Sequence, residues 1–93
     1  MWNNNKYKLN SEVVALIEVK HRVEKRDVNE LLHNKLKLAK EYHPKLKDYK
    51  IVLGIGGGSF EADAMEIAKE NGIGIIKAVG DKVEYHMEGI KVY

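Results

Sequence analysis

The hydrophobic positions of this chain change period several times, and each change marks the border of an element. Tyr7 and Leu9 alternate with Lys6 and Lys8, Asn10-Ser11 interrupts, and Glu12 to Lys20 then reads as a strand around Val13-Val14-Ala15-Leu16-Ile17. The two runs predict a hairpin. A two-residue loop would set Leu9 opposite Glu12, Tyr7 opposite Val14, Asn5 opposite Leu16 and Asn3 opposite Glu18. Asn3 and Asn5 would then share the face of Glu18 and Lys20, with Asn5 diagonal to Glu18.

A polar, basic connector from His21 to Arg26 follows. Asp27 suits a helix N-cap, with Glu30 as its capping-box partner. Val28, Leu31, Leu32, Leu36, Leu38, Ala39 and Tyr42 then recur at helical spacing until Pro44 stops the helix near His43. Lys35 interrupts the seam Val28-Leu31-Lys35-Leu38-Tyr42. A lysine there can lay its stem along the apolar rim and keep its head in water, or it can aim at a site. Tyr49 to Gly56 reads as a central strand, and Gly57-Gly58-Ser59 as the turn into a helix from Phe60 to Asn71, with Ser59 as N-cap and Gly72 as its stop. Its buried stripe is Phe60, Ala64, Ile67 and Ala68. Ile73 to Val79 is a strand, Gly80-Asp81 a tight turn, Lys82 to His86 the returning strand, and Glu88-Gly89 a last turn before Ile90 to Tyr93. The order β-β-α-β-α-β-β predicts an α/β domain with a mixed sheet.

The 93 residues make a single domain, 1–93, with a modest core. With 44% hydrophobic and 32% charged residues, the composition is that of a folded chain. The absence of cysteine excludes disulfides, thiolate metal sites and thiol nucleophiles, which fits the cytoplasm. No stretch has the length of a membrane span. The abrupt start at Met1-Trp2-Asn3 is expected of a chain cut into a longer protein. Residues 1–50 hold 12 Lys/Arg against 7 Asp/Glu, and residues 51–93 hold 4 against 7, so the first half could face a polyanion.

Chemistry concentrates at Glu18-Val19-Lys20. In a strand Glu18 and Lys20 project from one side and Val19 from the other. A carboxylate and an ammonium so placed can hold a divalent cation and a water beside it, although the same pattern also serves as a surface charge pair. Gly54-Ile55-Gly56-Gly57-Gly58-Ser59 suggests an anion-binding turn. Yet its sixth residue is not Gly, no Gly-Lys-Ser/Thr follows, and Glu61 and Asp63 would repel a phosphate, so tight turning is the better account. His21, His33, His43 and His86 lack metal-ligand spacing, and Ser11 and Ser59 lack the setting of a nucleophile.

Taken in order, Ala15-Leu16-Ile17-Glu18-Val19-Lys20, the basic connector, the helix to Pro44 and the strand Ile51–Gly56 resemble the PD-(D/E)xK nuclease-like superfamily. More narrowly, they resemble uncharacterised bacterial proteins with an N-terminal coiled coil and this domain at the C-terminus. Ile75-Ile76-Lys77-Ala78-Val79-Gly80-Asp81 and Gly89-Ile90-Lys91 are similar to the same group. The resemblance implies a restriction-endonuclease-like mixed sheet flanked by helices, with the first helix absent. It implies Mg²⁺-dependent phosphodiester hydrolysis with Glu18 and Lys20 catalytic. Glu18, the Val19 carbonyl and Asn5 would hold the metal, with Asn5 standing where the superfamily has Asp. Arg22, Lys25, Arg26 and Lys35 would contact phosphates. A non-catalytic interaction or dimerisation module of the same fold is the alternative, and a second copy or an upstream segment the expected protein partner.

Overall fold

The computed structural model describes residues 3–8, 13–42 and 49–93, with residues 3–8 and 42 described for their backbone. Five strands form one sheet in sequential order: β1 (Asn3–Lys8), β2 (Val13–Val23), β3 (Lys50–Phe60), β4 (Gly74–Val79) and β5 (Lys82–His86). β1 and β5 pair antiparallel with their neighbours, while β2-β3 and β3-β4 are parallel, so the fold is α/β with a mixed sheet. The β2-to-β3 crossover carries α1 (Lys25–Glu30), a π-helical turn (Leu31–Lys35) and α2 (Leu36–Tyr42); α3 (Ala62–Glu70) carries the next. Because the parallel strands are added in one direction, two crossovers of the same hand lie on one face of the sheet. α1 and α3 accordingly touch each other.

The core lies between that face and the helices. Leu16, Leu53, Ile55 and Ile75 from the strands meet Val28, Leu31, Ala39, Ala64 and Ala68 from the helices. Alanines at 64 and 68 let α3 approach the sheet closely. Among the described residues, no helix is long and apolar enough to cross a membrane.

The structure corrects several expectations. β1 and β2 pair one residue out of the expected register: Asn4 lies opposite Glu18, Asn5 opposite Ile17 and Asn3 opposite Val19. A slip of one moves Asn3 and Asn5 to the other parity of the pleat. The connecting turn at Asn10-Ser11 and the helix stop at His43-Pro44 lie outside the described residues. His21 to Arg26 is not a free connector, because β2 continues to Val23 and α1 begins at Lys25. Glu24 is the N-cap, and Asp27 sits at the third helical position, where Oδ2 accepts the Glu24 N–H at 2.8 Å. Gly57-Gly58-Ser59 does not turn. β3 runs through it to Phe60, because the extended tail of β2 pairs Lys20 with Gly57 and Arg22 with Ser59. A partner strand outweighs the local preference of glycine for turns. Glu61, not Ser59, precedes α3, and its N–H donates to the Val23 carbonyl at 3.0 Å.

The expected punctuation farther on is present. Gly80-Asp81 links Val79 and Lys82 as a two-residue turn, and Gly72 ends α3 with φ at 66°. Tyr93 exchanges both backbone hydrogen bonds with Ile51, at 2.7 and 2.8 Å, which ties the C-terminal segment to β3.

Within the glycine run, Gly57 is held by packing. A Cβ there would stand 2.8 Å from both the Lys20 carbonyl oxygen and Val23 Cγ2, whereas at Gly58 the nearest atom would be the His21 carbonyl oxygen at 3.5 Å. Gly57→Ala should therefore destabilise the domain by about 1–3 kcal/mol. Gly58→Ala should be neutral or stabilise by about 0.4–1 kcal/mol through the unfolded chain. Urea midpoints of the two variants check this; equal midpoints would remove the close-packing account.

Candidate functional site

Alternation along β2 puts Leu16 and Glu18 on the helix-covered face, and the register continues the Glu18 row through Ile55 and Ile75. Glu18 is thus a carboxylate in an isoleucine row, and it is 0% exposed. A buried charge is tolerated only when paired. The partner is Lys35, itself 9% exposed, whose Nζ donates to Glu18 Oε1 at 2.7 Å.

Lys35 stands in the Val28-Leu31-Lys35 seam that the spacing predicts, and a π turn shifts the seam that follows it. The Leu36 N–H bonds the Leu31 carbonyl, so this turn holds one residue more than an α-turn. The buried seam runs Leu31, Lys35, Ala39, while Leu38 swings out to 45% exposure. That insertion corrects the expected seam at Leu38, while Lys35 keeps its seam position but carries its head to Glu18 rather than to water. As a proposed phosphate contact, Lys35 differs from the other three basic residues, because its ammonium already meets a carboxylate.

Lys20 comes from the same side of β2, as its spacing predicted. Its Nζ is 3.7 Å from Glu18 Oε1 and 3.9 Å from Asp27 Oδ1. The cluster therefore holds two carboxylates and two ammonium groups: Glu18, Asp27, Lys20 and Lys35. Asp27 was foreseen only as a cap. Nothing in the spacing of residues 18 and 27 signals their meeting, which depends on where α1 starts after the sheet's edge is reached. Val19 points to the other face and is 45% exposed. Arg22, Lys25 and Arg26 are exposed, and Arg22 Nη2 approaches Glu61 Oε2 at 3.9 Å. The Lys25 N–H donates to Glu61 Oε1 at 3.0 Å, so Glu61 holds the start of α1 beside the start of α3.

One atom is left over. Glu18 Oε2 is buried and has no hydrogen-bond partner among the described residues. Such an oxygen fits a hard cation, which prefers oxygen ligands. The remaining donors are sparse: no three His, Asp or Glu side chains among the described residues converge as a metal group. Glu18 Oε2 is the donor this site offers most clearly, and the Lys35 ammonium on Oε1 already supplies one positive charge.

Removing Lys35 alone would leave Glu18 buried with Lys20 as its remaining neighbour. Lys35→Ala should cost about 3–5 kcal/mol, a large share of the stability of so small a domain. The double variant Glu18→Leu/Lys35→Met, which replaces the pair by apolar groups, should recover most of the loss. Chemical denaturation of both variants and the parent decides it; a double variant no better than the single one would exclude the pair as the cause. No protein-family model, curated protein or solved structure matches this chain.

Proposed function

We propose that the domain acts on nucleic acid through a weak, nuclease-like divalent-metal site in a restriction-endonuclease-like scaffold. The observation that carries this reading is the buried Glu18 carboxylate, with Oε2 unpartnered and two lysines at Oε1. Orphaned buried oxygens are rare in folded proteins, and they concentrate where a ligand completes the set. Glu18 Oε2 and the Val19 carbonyl would hold Mg²⁺; Asn5, the third donor implied by the resemblance, stands opposite Ile17 and off the row of Glu18. When bound, Mg²⁺ neutralises charge on a phosphate and acidifies a coordinated water.

The chain's own residues supply the rest. Lys20, with its ammonium 3.7 Å from Glu18 and partly exposed, is placed to orient water and to stabilise charge on a phosphate. Arg22, Lys25 and Arg26 offer exposed positive charge for backbone phosphates, which makes binding salt-dependent. The site is weak for a physical reason: Lys35 competes with any cation for Glu18.

A second reading has its own observation. The 2.7 Å Glu18–Lys35 pair can stand in place of a metal, leaving a non-catalytic interaction module of the same fold. The two readings part on metal response. Under the nuclease reading, Mg²⁺ or Mn²⁺ raises the melting temperature of Lys35→Met more than that of the parent chain, and leaves Glu18→Gln unmoved. Metal-dependent cleavage of labelled DNA or RNA falls about 10²–10⁴-fold in Lys20→Ala. The register adds a further comparison. Asn4→Asp, opposite Glu18, should tighten the metal response more than Asn5→Asp, opposite Ile17. No metal response in any variant, with no cleavage, leaves the interaction module.

A further inference from the structure

Glu18, Lys35 and Asp27 are the buried charged side chains among the described residues, and Asp27 is the one without a part in the chemistry proposed above. Its backbone and one of its oxygens are committed to the start of α1. The Asp27 N–H donates to the Glu24 carbonyl at 2.9 Å, and Asp27 Oδ2 accepts the Glu24 N–H at 2.8 Å. Oδ1 is left to face Lys20 Nζ at 3.9 Å. The segment that carries Asp27 is itself held, since the Lys25 N–H donates to Glu61 Oε1 at 3.0 Å. Charge balance says what Oδ1 does there. Glu18 Oε1 lies 2.7 Å from Lys35 Nζ and 3.7 Å from Lys20 Nζ, so Lys35 takes the stronger share of that carboxylate. Without Asp27, two ammonium groups would share one carboxylate, and the partly exposed Lys20 would be the one free to swing into water.

We infer that Asp27 is the positioning residue of Lys20: it fixes the ammonium beside Glu18, in the place from which that ammonium meets a phosphate. This rests on the hydrolytic reading above and deepens it by adding a residue that acts through Lys20 without touching substrate. The arrangement ties a side chain of the sheet to the start of a helix. Oδ2 sets the orientation of the carboxylate, and Oδ1 then presents a fixed negative charge to Lys20. Holding an ammonium in place beforehand removes part of the orientational cost of the reacting step. The two oxygens have separable requirements. A cap needs an acceptor, which an amide or a hydroxyl also supplies, whereas holding Lys20 needs the charge.

Asp27→Asn and Asp27→Ser test this, because each keeps an acceptor for the Glu24 N–H and removes the charge. Nitrogen-15 relaxation of the lysine ammonium groups reads the order of Lys20 directly, with no metal or substrate present. The expected result is an ordered Lys20 ammonium in the parent chain. In both variants it should become as mobile as those of the exposed Lys25 and Lys82, while Lys35 stays ordered. A Lys20 equally ordered in the variants, or already mobile in the parent, overturns the inference. So does a Lys20 that loses order only together with Lys35, because Asp27 would then act as a cap alone. Cleavage gives a second readout: Asp27→Asn should lower kcat about 10–10²-fold with KM nearly unchanged. Lys20→Ala/Asp27→Asn should then be no slower than Lys20→Ala; additive losses mean a role that does not pass through Lys20 and overturn the inference. A Lys20 freed in the variants, with no cleavage by the parent in any metal, sinks the hydrolytic reading and leaves Asp27 as the anchor of Lys20.

Discussion

The Glu18–Lys35 pair is the constraint around which this small domain is arranged. A fully buried carboxylate beside Ile55 would be intolerable alone. The pair needs β2 to present Glu18 inward and the crossover helices to lie on that face with Lys35 in their buried seam. Buried ion pairs seldom add net stability over apolar residues of the same size, so their presence points to specificity or function. Here one oxygen of the pair, Glu18 Oε2, is left without a hydrogen-bond partner among the described residues.

The second organising fact is one-sidedness. Sequential strand order keeps both crossovers on one face, so the opposite face carries its valines, Ile76 and Tyr85 toward solvent. Lys20 lies near the end of β2. Its ammonium belongs to the carboxylate cluster on the helix-covered side, while Val19 before it faces the other side. Glu61 adds rigidity near that end by fixing the start of α1 against the start of α3.

Strand and helix existence were legible because burial imposes a period on the sequence. Val13 to Ile17, Ile51 to Ile55 and Ile73 to Ile76 could each be read that way, as could the Gly80-Asp81 turn. The same-side placement of Glu18 and Lys20 followed from the pleat alone. The errors lie where a distant partner outweighed local preference. Gly56-Gly57-Gly58 has the composition of a turn, yet the tail of β2 keeps it extended. The β1–β2 register differs by one residue, since nothing local in Asn3-Asn4-Asn5 distinguishes which asparagine stands opposite Glu18.

By itself, then, the sequence determined the order of the elements, the α/β class and the common side of Glu18 and Lys20, because these depend on periods of two and about three and a half residues. Tertiary structure decided the partners. That Lys35 meets Glu18, that Asp27 comes within reach of Lys20, and that Val19, Val83 and Tyr85 stay exposed all depend on packing between segments far apart in the chain. The hydrophobic pattern is nearly unchanged by the one extra residue of a π turn, but that residue puts Ala39 rather than Leu38 on the buried seam.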